Sequence, residues 1–263
     1  MVRTSEAIPR RIVMLLACGL VAACTATSGT SATSSLRSTA TDVGSPAGRV
    51  VPLLGGCSHE VPCKLQAGTY ETSGRWAFLR GLRVTVPAGW FSEEQDAGEF
   101  NLHPVDQPDA VLFFSKDIVA TANDLPGTPL AGVSGTAQGF TSWLTSNPDL
   151  VVTKPRPAMI GHVPVVVVDV QTSPTAMNVD SGCPAKPCVS FLRDVKHWEG
   201  PLSISHAEVV RMYVGTIGPA NDLHTFVAAI DFPGTQGAAL ETFTERVRPI
   251  LDSVVIPDVI VDN

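Results

Sequence analysis

The chain has 263 residues, with 25 acidic against 18 basic residues and a formal charge of −7. Beyond residue 23 it holds 24 acidic and 15 basic residues, so that part carries a formal charge of −9. This balance excludes nucleic-acid binding and an electrostatic hold on anionic lipid, because both need a basic surface.

The N-terminal segment has the order of a secretory signal. Arg3, Arg10 and Arg11 precede an apolar run over residues 12–23, and small residues follow at its end. The run has 12 residues, whereas a membrane-spanning helix needs about 20. The pattern therefore predicts an export signal over residues 1–23, removed from the mature chain.

The apolar run ends in the sequence LVAAC at residues 20–24. This segment resembles the lipobox of bacterial lipoproteins. The resemblance implies that the thiol of Cys24 receives a diacylglycerol and that cleavage leaves Cys24 as the N-terminus. Two acyl chains anchor stably where one does not, which implies a cell-membrane location on the extracytoplasmic face. The alternative is an ordinary secretory signal in which Cys24 has no such role.

A polar tether is predicted from residue 24 to residue 48. Between residues 25 and 42, 11 of 18 residues are Ser or Thr and none is aromatic. Such a segment buries too little apolar surface to offset its ordering entropy. It predicts a flexible spacer with a reach on the order of 20–25 Å. A globular domain follows over residues 49–258, and residues 259–263 form a short tail.

Four cysteines follow the signal: Cys57, Cys63, Cys183 and Cys188. An even number in an exported chain predicts disulfides, with three pairings open. We favour the two pairs that are closest in sequence, because each brackets a short Pro-containing turn. The alternative is a zinc site made by the four thiols and His59, although the spacings are wide for a zinc knuckle.

Hydrophobic periodicity predicts the regular elements of the domain. The expected strands, in chain order, are residues 82–86, 100–102, 110–114, 150–152, 163–170, 209–214 and 224–232. The expected helices are residues 136–146 and 236–253. Turn signals at residues 104–109 and 218–222 join two pairs of these strands into hairpins. Pro249 removes a backbone bond inside the second helix and predicts a kink near Glu245. These elements predict the α+β class, a largely antiparallel sheet flanked by two main helices.

The opening and the end of the domain resemble a group of actinobacterial lipoproteins. The resemblance rests on the sequence QAGTY at residues 66–70, the strand at 82–86, the turn PAGW at 87–90 and the closing ILDSV at 250–254. It implies a layout similar to the PsbP/Mog1-like fold, an antiparallel sheet flanked by helices. It also implies binding of partners or ligands and supplies no catalytic residues.

Candidate binding residues are few. His197 and Trp198, with His206 nearby, form the richest polar and aromatic cluster and predict part of a binding rim, with an exposed loop as the alternative. Trp76, Trp90 and Trp198 are candidates to line a pocket, although Trp90 is better interpreted as a plug in the core.

Other signals are weaker. The acidic residues that follow Trp90 are calcium-ligand candidates or a solvated loop; they are Glu93, Glu94, Asp96 and Glu99. Ser134 lies in the sequence GVSG, which lacks nucleophile-elbow spacing, and is interpreted as leading into the helix. The sequence contains no phosphate loop, dinucleotide motif or metalloprotease motif. It therefore predicts no cofactor, no metal and no catalytic residue.

Two functions remain. The first is a membrane-anchored binding module of the cell envelope, for an unknown ligand or protein. The second is an envelope hydrolase with dispersed catalytic residues, which would need a cavity that brings His197 or His206 to an acidic residue and a Ser.

Overall fold

The computed structural model describes residues 50–53, 57, 62–72, 79–92, 99–121, 130–176, 187–194, 202–220, 222–234 and 237–257. All of them belong to one compact unit, residues 44–263. The export signal, Cys24 and the tether lie outside the described residues. Neither described helix has the length and apolarity to cross a membrane.

Fifteen strands and two helices are present in the described residues. The strands are β1 (Val50–Leu53), β2 (Cys63–Leu65), β3 (Gly68–Thr72), β4 (Arg83–Val86), β5 (Trp90–Ser92), β6 (Glu99–Pro104), β7 (Val111–Lys116), β8 (Ile118–Ala120), β9 (Leu150–Val152), β10 (Arg156–Ile160), β11 (Val163–Thr172), β12 (Cys188–Asp194), β13 (Leu202–Ser205), β14 (Glu208–Ile217) and β15 (His224–Pro233). The helices are α1 (Ala137–Ser146) and α2 (Ala238–Asp252).

A central nine-stranded sheet organises the domain. Its strand order is β10-β11-β14-β15-β7-β6-β5-β2, and β9 pairs with β11 beside β10. Two three-stranded sheets accompany it, in the orders β1-β3-β4 and β13-β12-β8. The described pairings are antiparallel except β1 with β3.

Each face of the central sheet is buried under a small sheet and a helix. On one face, which we call the α2 face, residues such as Phe114 and Phe226 pack with β3, β4 and α2. On the opposite α1 face, residues such as Phe113 and Val227 pack with β8, β12, β13 and α1. Neighbouring residues of one strand point to opposite faces, which explains the continuous apolar runs over residues 111–114 of β7 and 226–230 of β15.

The α+β class expected from the sequence is wrong. Of the described residues, 52% lie in strands and 16% in helices, so the chain is mostly β with a β-sandwich-like arrangement of mostly antiparallel sheets. The expected design, one sheet flanked by two main helices, assumed that helices cover both faces. Short strands supply much of that cover instead. These strands are mostly three to seven residues long, too short to give a clear alternation.

The long elements match their predicted positions. The two predicted hairpins are confirmed as β6–β7 and β14–β15. Helix α1 begins after Thr136, whose side chain accepts a hydrogen bond from Gly139 N–H, and it buries Phe140 and Leu144. Helix α2 runs as one helix from Ala238 to Asp252, with Pro249 in its last turns.

The β10–β11 turn is fixed to the end of α2. Gly161 N–H donates to the carbonyl of Leu251 at 3.0 Å. Gly161 has a φ of 52°, and a Cβ at this position would lie 1.8 Å from the carbonyl oxygen of Val254. Only glycine satisfies both the left-handed backbone and the close approach. This contact holds β10 alongside α2.

Candidate functional site

A groove of about 390 Å³ lies between α2 and the edge strand β10 on the α2 face. Its volume is within the roughly 300–1,000 Å³ of small-ligand sites. Arg156 to Met159 form one wall, α2 forms the other, and Val167, Arg211 and Tyr213 come from the strands between them. The register places Arg156, Val167 and Tyr213 in one row across β10, β11 and β14.

Arg211 forms the fixed polar floor of the groove. Its Nε and Nη2 donate to the two carboxylate oxygens of Asp169 at 2.6 and 2.9 Å. Nη2 and Nη1 donate to Glu241 at 2.7 and 3.0 Å, and Nη1 also donates to the Thr244 hydroxyl at 2.9 Å. A guanidinium has five N–H donors, so every donor of Arg211 is used within the protein.

The hydrogen bonds of this cluster are saturated. The hydrogen bonds to Asp169, with those to Glu241, raise the pKa of Arg211, and the hydrogen bond from Arg211 lowers the pKa of Glu241. Arg211 is only 4% exposed, and Thr244 hydroxyl donates in turn to the carbonyl of Leu240. Arg211 therefore joins the sheet to α2 and has no donor left for a ligand.

Three other polar groups of the groove are uncommitted. Arg156 and Asp252 line it and make no hydrogen bond or ion pair with the described residues. Arg248, by contrast, is paired with Glu245 at 3.2 Å. Tyr213 is 7% exposed, and its hydroxyl likewise has no hydrogen-bond partner in the described part of the chain. Burial raises the pKa of Tyr213, so its hydroxyl keeps its proton and is able to donate as well as accept.

The binding residues predicted from the sequence are not in this groove. His197 and Trp198 lie outside the described residues. His206 is exposed in the turn between β13 and β14, and its N–H donates to the carbonyl of Pro187 at 3.0 Å. His206 is absent from the lining of the groove, so the two features are separate.

The remaining candidates are structural or lie outside the described residues. Trp90 is 1% exposed, its ring tilts against Phe243, and Arg246 lies 5.4 Å above it, so it is the core plug that the PAGW turn predicts. Ser134 hydroxyl interacts with Thr136, the residue that caps α1. Trp76, Glu93, Glu94 and Asp96 lie outside the described residues, while Glu99 is the first residue of β6.

Cys57 and Cys63 form a disulfide with an S–S distance of 2.03 Å and a Cα–Cα distance of 5.3 Å. Their sulfurs are therefore unavailable as zinc thiolates. Cys188 is also disulfide-bonded and fully buried at the start of β12. Cys183 lies outside the described residues, so its pairing with Cys188 stays a prediction. Within the described ranges no three His, Cys, Asp or Glu side chains are placed to hold a metal ion.

One buried histidine pairs with carboxylates at the end of the central sheet. His224 Nδ1 lies 2.8 Å from Asp117 Oδ1, and its Nε2 lies 3.4 Å from Asp222 Oδ2. Lys116 Nζ lies 3.3 Å from the other oxygen of Asp117. A serine hydrolase needs a histidine nitrogen that faces the nucleophile. Nδ1 of His224 is hydrogen-bonded to Asp117, but its Nε2 is buried with no hydrogen-bond partner among the described residues, so no nucleophile hydroxyl is hydrogen-bonded to it.

A partly buried acid lies on the α1 face. Asp231 of β15 lies opposite Val210, and Glu208 is the next residue of β14 on that face. Burial, with the charge of Glu208, raises the pKa of Asp231 to about 7. Glu208 accepts a hydrogen bond from Ser205 N–H at 2.9 Å. This pair is a titrating site on the α1 face and is not part of the groove.

None of the binding residues predicted from the sequence lines the groove, although two signals in the sequence point to its floor. Asp169 interrupts the run VVVVDV and Arg211 interrupts VVRMYV. Single charges of opposite sign inside two buried strands predict a buried pair, because an unpaired charge there would be costly. The sequence does not indicate that these two strands, β11 and β14, are neighbours in the sheet; their pairing in the structure shows it.

No protein-family model matches the chain, and no curated protein matches it. Among solved structures, it is similar to a crystal structure of a protein from Bacteroides thetaiotaomicron VPI-5482. The identity is 12%, the match covers 74% of this chain and 50% of that chain, and the TM-score is 0.35. This chain thus spans about half the length of that protein, and the similarity carries neither fold nor function across.

Proposed function

We propose that this protein is a binding module of the cell envelope, held at the outer face of the membrane by diacylglycerol on Cys24, and that the groove beside α2 is its ligand site. The lipobox-like sequence supports the anchor. The groove supports the binding role, because it combines a fixed floor with polar groups that have no partner in the described chain. Sites of this kind are preorganised for a ligand.

The chemistry of the groove favours binding over hydrolysis. Its carboxylate Glu241 and hydroxyl Thr244 are engaged by Arg211, and no histidine, serine or cysteine lines it. A general base needs a carboxylate or imidazole free to take a proton, and a nucleophile needs such a base beside it. Asp252 is a free carboxylate, but the described lining places no serine, cysteine or histidine beside it. The single observation that carries the proposal is the saturated Arg211 beneath uncommitted Tyr213, Arg156 and Asp252.

The anchor is tested by labelling cells with a radioactive fatty acid. We expect the wild-type chain to incorporate label and Cys24→Ala to incorporate none and to leave the membrane fraction. An unchanged mass and location for Cys24→Ala would contradict the anchor while leaving the groove untouched.

The ligand site is tested by native mass spectrometry of the full chain, purified in mild detergent from its own membrane. Ala158→Phe adds a ring on the groove wall, whereas Val151→Phe adds the same ring on the neighbouring edge strand β9, outside the groove. We expect a retained ligand with the wild type and with Val151→Phe, and at least a tenfold smaller bound fraction with Ala158→Phe.

Thermal unfolding is recorded for each variant, and Ala158→Leu, which adds less volume, replaces Ala158→Phe if the larger side chain prevents folding. Equal occupancy in folded Ala158 variants and wild type would place the ligand elsewhere and overturn the proposal. A bare wild-type chain in every preparation would also count against it.

A further inference from the structure

The charged groups of the groove that have no hydrogen bond or ion pair in the described chain are one cation and one anion. Of its charged lining residues, Arg211 is bound to both Asp169 and Glu241, and Arg248 is paired with Glu245. Arg156 and Asp252 are left. We infer that the ligand is a short zwitterionic peptide with free termini, its carboxylate on Arg156 and its ammonium on Asp252. This inference rests on the proposed function.

The two charges lie towards opposite ends of the groove. Strand β10 runs in the same direction as α2. Arg156, at the start of β10, lies near enough to Glu241 in the first part of α2 to contribute to the lowered pKa of that carboxyl. Gly161, which follows β10, donates its backbone N–H to the carbonyl of Leu251 near the end of α2. From Arg156 to Gly161 the strand rises about 16 Å, at roughly 3.3 Å per residue. Asp252 is the residue after Leu251, so its backbone lies about this distance from that of Arg156.

That spacing sets the size of the ligand. An extended peptide of three residues spans about 10 Å between its termini, at roughly 3.3–3.6 Å per residue. The long Arg156 side chain is able to cover the rest. A single amino acid is too short to reach both charges, and a long peptide would have to leave the groove at one end. A tripeptide is therefore the best fit.

The middle of the groove suits a peptide backbone. Tyr213 lies in the Arg156 row of the sheet, and its protonated hydroxyl is available to a carbonyl or an N–H of the ligand. Beside it, Ala158, Val167 and Leu251 supply apolar surface. Because Tyr213 lines the open groove, its hydroxyl is able to exchange a hydrogen bond with water for one with the ligand.

The inference is tested by isothermal titration of the purified full chain with the tripeptide Leu-Ala-Leu and its capped forms. N-acetylation removes the positive terminus and C-amidation removes the negative one. We expect each cap to weaken binding to the wild type about tenfold, the loss that a charged hydrogen bond of about 1.4 kcal/mol would give.

The variants assign each terminus. Arg156→Gln should bind the free tripeptide about tenfold more weakly and no longer distinguish carboxylate from amide, while still distinguishing ammonium from acetyl. Asp252→Asn should give the reverse pattern. Lys154→Gln and Asp109→Asn, which change exposed charges outside the groove, should leave every affinity unchanged.

Two results would overturn the inference. The first is equal affinity of the wild type for free and capped peptides, and the second is no binding of any peptide at millimolar concentration. If Ala158→Phe still removes the ligand seen by native mass spectrometry, either result rejects the zwitterionic peptide and leaves the proposed ligand site standing. If Ala158→Phe retains that ligand as the wild type does, the proposed function itself fails.

Discussion

Helices α1 and α2 cover opposite faces of the central sheet, and their first turns are held by different means. In α1, the Thr136 side chain caps the helix, and Ala137 N–H donates to Thr216 of the sheet at 3.0 Å. In α2, Gly237 stands at the cap position and offers no side chain. Glu241 and Thr244 of α2 instead bind Arg211 in the sheet.

The difference has a consequence for function. The attachment of α1 is local and involves neutral groups, and the residues beneath α1 form an apolar cluster. The attachment of α2 places a buried ionic cluster between helix and sheet, and the groove opens over that cluster at the sheet edge. A helix held by a rigid charged cluster is able to border a cavity without collapsing into it.

The substitution expected to destabilise the attachment of α2 most is Arg211→Leu. Removing the guanidinium leaves Asp169 as an uncompensated buried charge, and such a loss costs roughly 3–5 kcal/mol. We expect the free energy of unfolding in urea to fall by this amount. The double variant Arg211→Leu/Asp169→Leu should recover most of it. Equal destabilisation of the single and double variants would show that the charge of Asp169 is not the cause.

The corresponding test on the α1 face concerns Asp231. Its pKa of about 7 in the folded chain lies above its ordinary value of 3.8, so folding favours the protonated carboxyl. The stability from that proton is fully present below about pH 4 and is lost as the pH rises through 7, an effect of up to about 4 kcal/mol for three pH units.

We therefore expect wild-type unfolding free energy to fall between pH 4 and pH 8 relative to that of Asp231→Asn, measured by urea titration at each pH. Glu208→Gln removes the neighbouring charge. Because repulsion between the two carboxylates raises the pKa of Asp231, this variant should move the midpoint of the fall below pH 7. Identical pH profiles for wild type and Asp231→Asn would contradict a titrating Asp231.

A smaller effect is expected from Thr136→Ala. Losing the side-chain cap of α1 costs about 1 kcal/mol. Thr145→Ala, which changes an exposed threonine of the same helix, should cost less. Chemical denaturation measures both, and an effect of Thr145→Ala as large as that of Thr136→Ala would mean that helix propensity, and not the cap, is responsible.

The smallest effect is expected from Glu241→Gln. The Glu241 side chain is 61% exposed, and exposed ion pairs contribute about 0.2–1 kcal/mol. The loss should stay below that of Arg211→Leu and should not be matched by Glu245→Gln, which leaves Arg211 untouched. A loss of several kcal/mol would mean that Glu241, and not Asp169, is the main partner of Arg211.

The sequence predicted the long elements well and the layering badly. Helix α1 and the β14–β15 hairpin carry clear periodicity and turn signals, so their positions follow from local rules. Strands such as β2, β8 and β13 have three or four residues and owe their conformation to pairing with distant segments. The fold class was therefore wrong although the main elements were found.

The groove illustrates the same limit. Asp169 and Arg211 are recognisable in the sequence as charges in apolar strands. The closeness of Arg156, Tyr213 and Asp252 depends on the register of three strands and on the contact of Gly161 with the end of α2. No local pattern encodes that arrangement, because its residues are separated by up to 96 positions in the chain.

The most direct measurement of the central claim is amide hydrogen exchange of the full chain with and without saturating Leu-Ala-Leu. The account predicts slower exchange in β10 and in the last turns of α2, with β12, β13 and α1 unchanged. Protection confined to the α1 face, or no protection at a peptide concentration that saturates the titration, would contradict a ligand site in the groove.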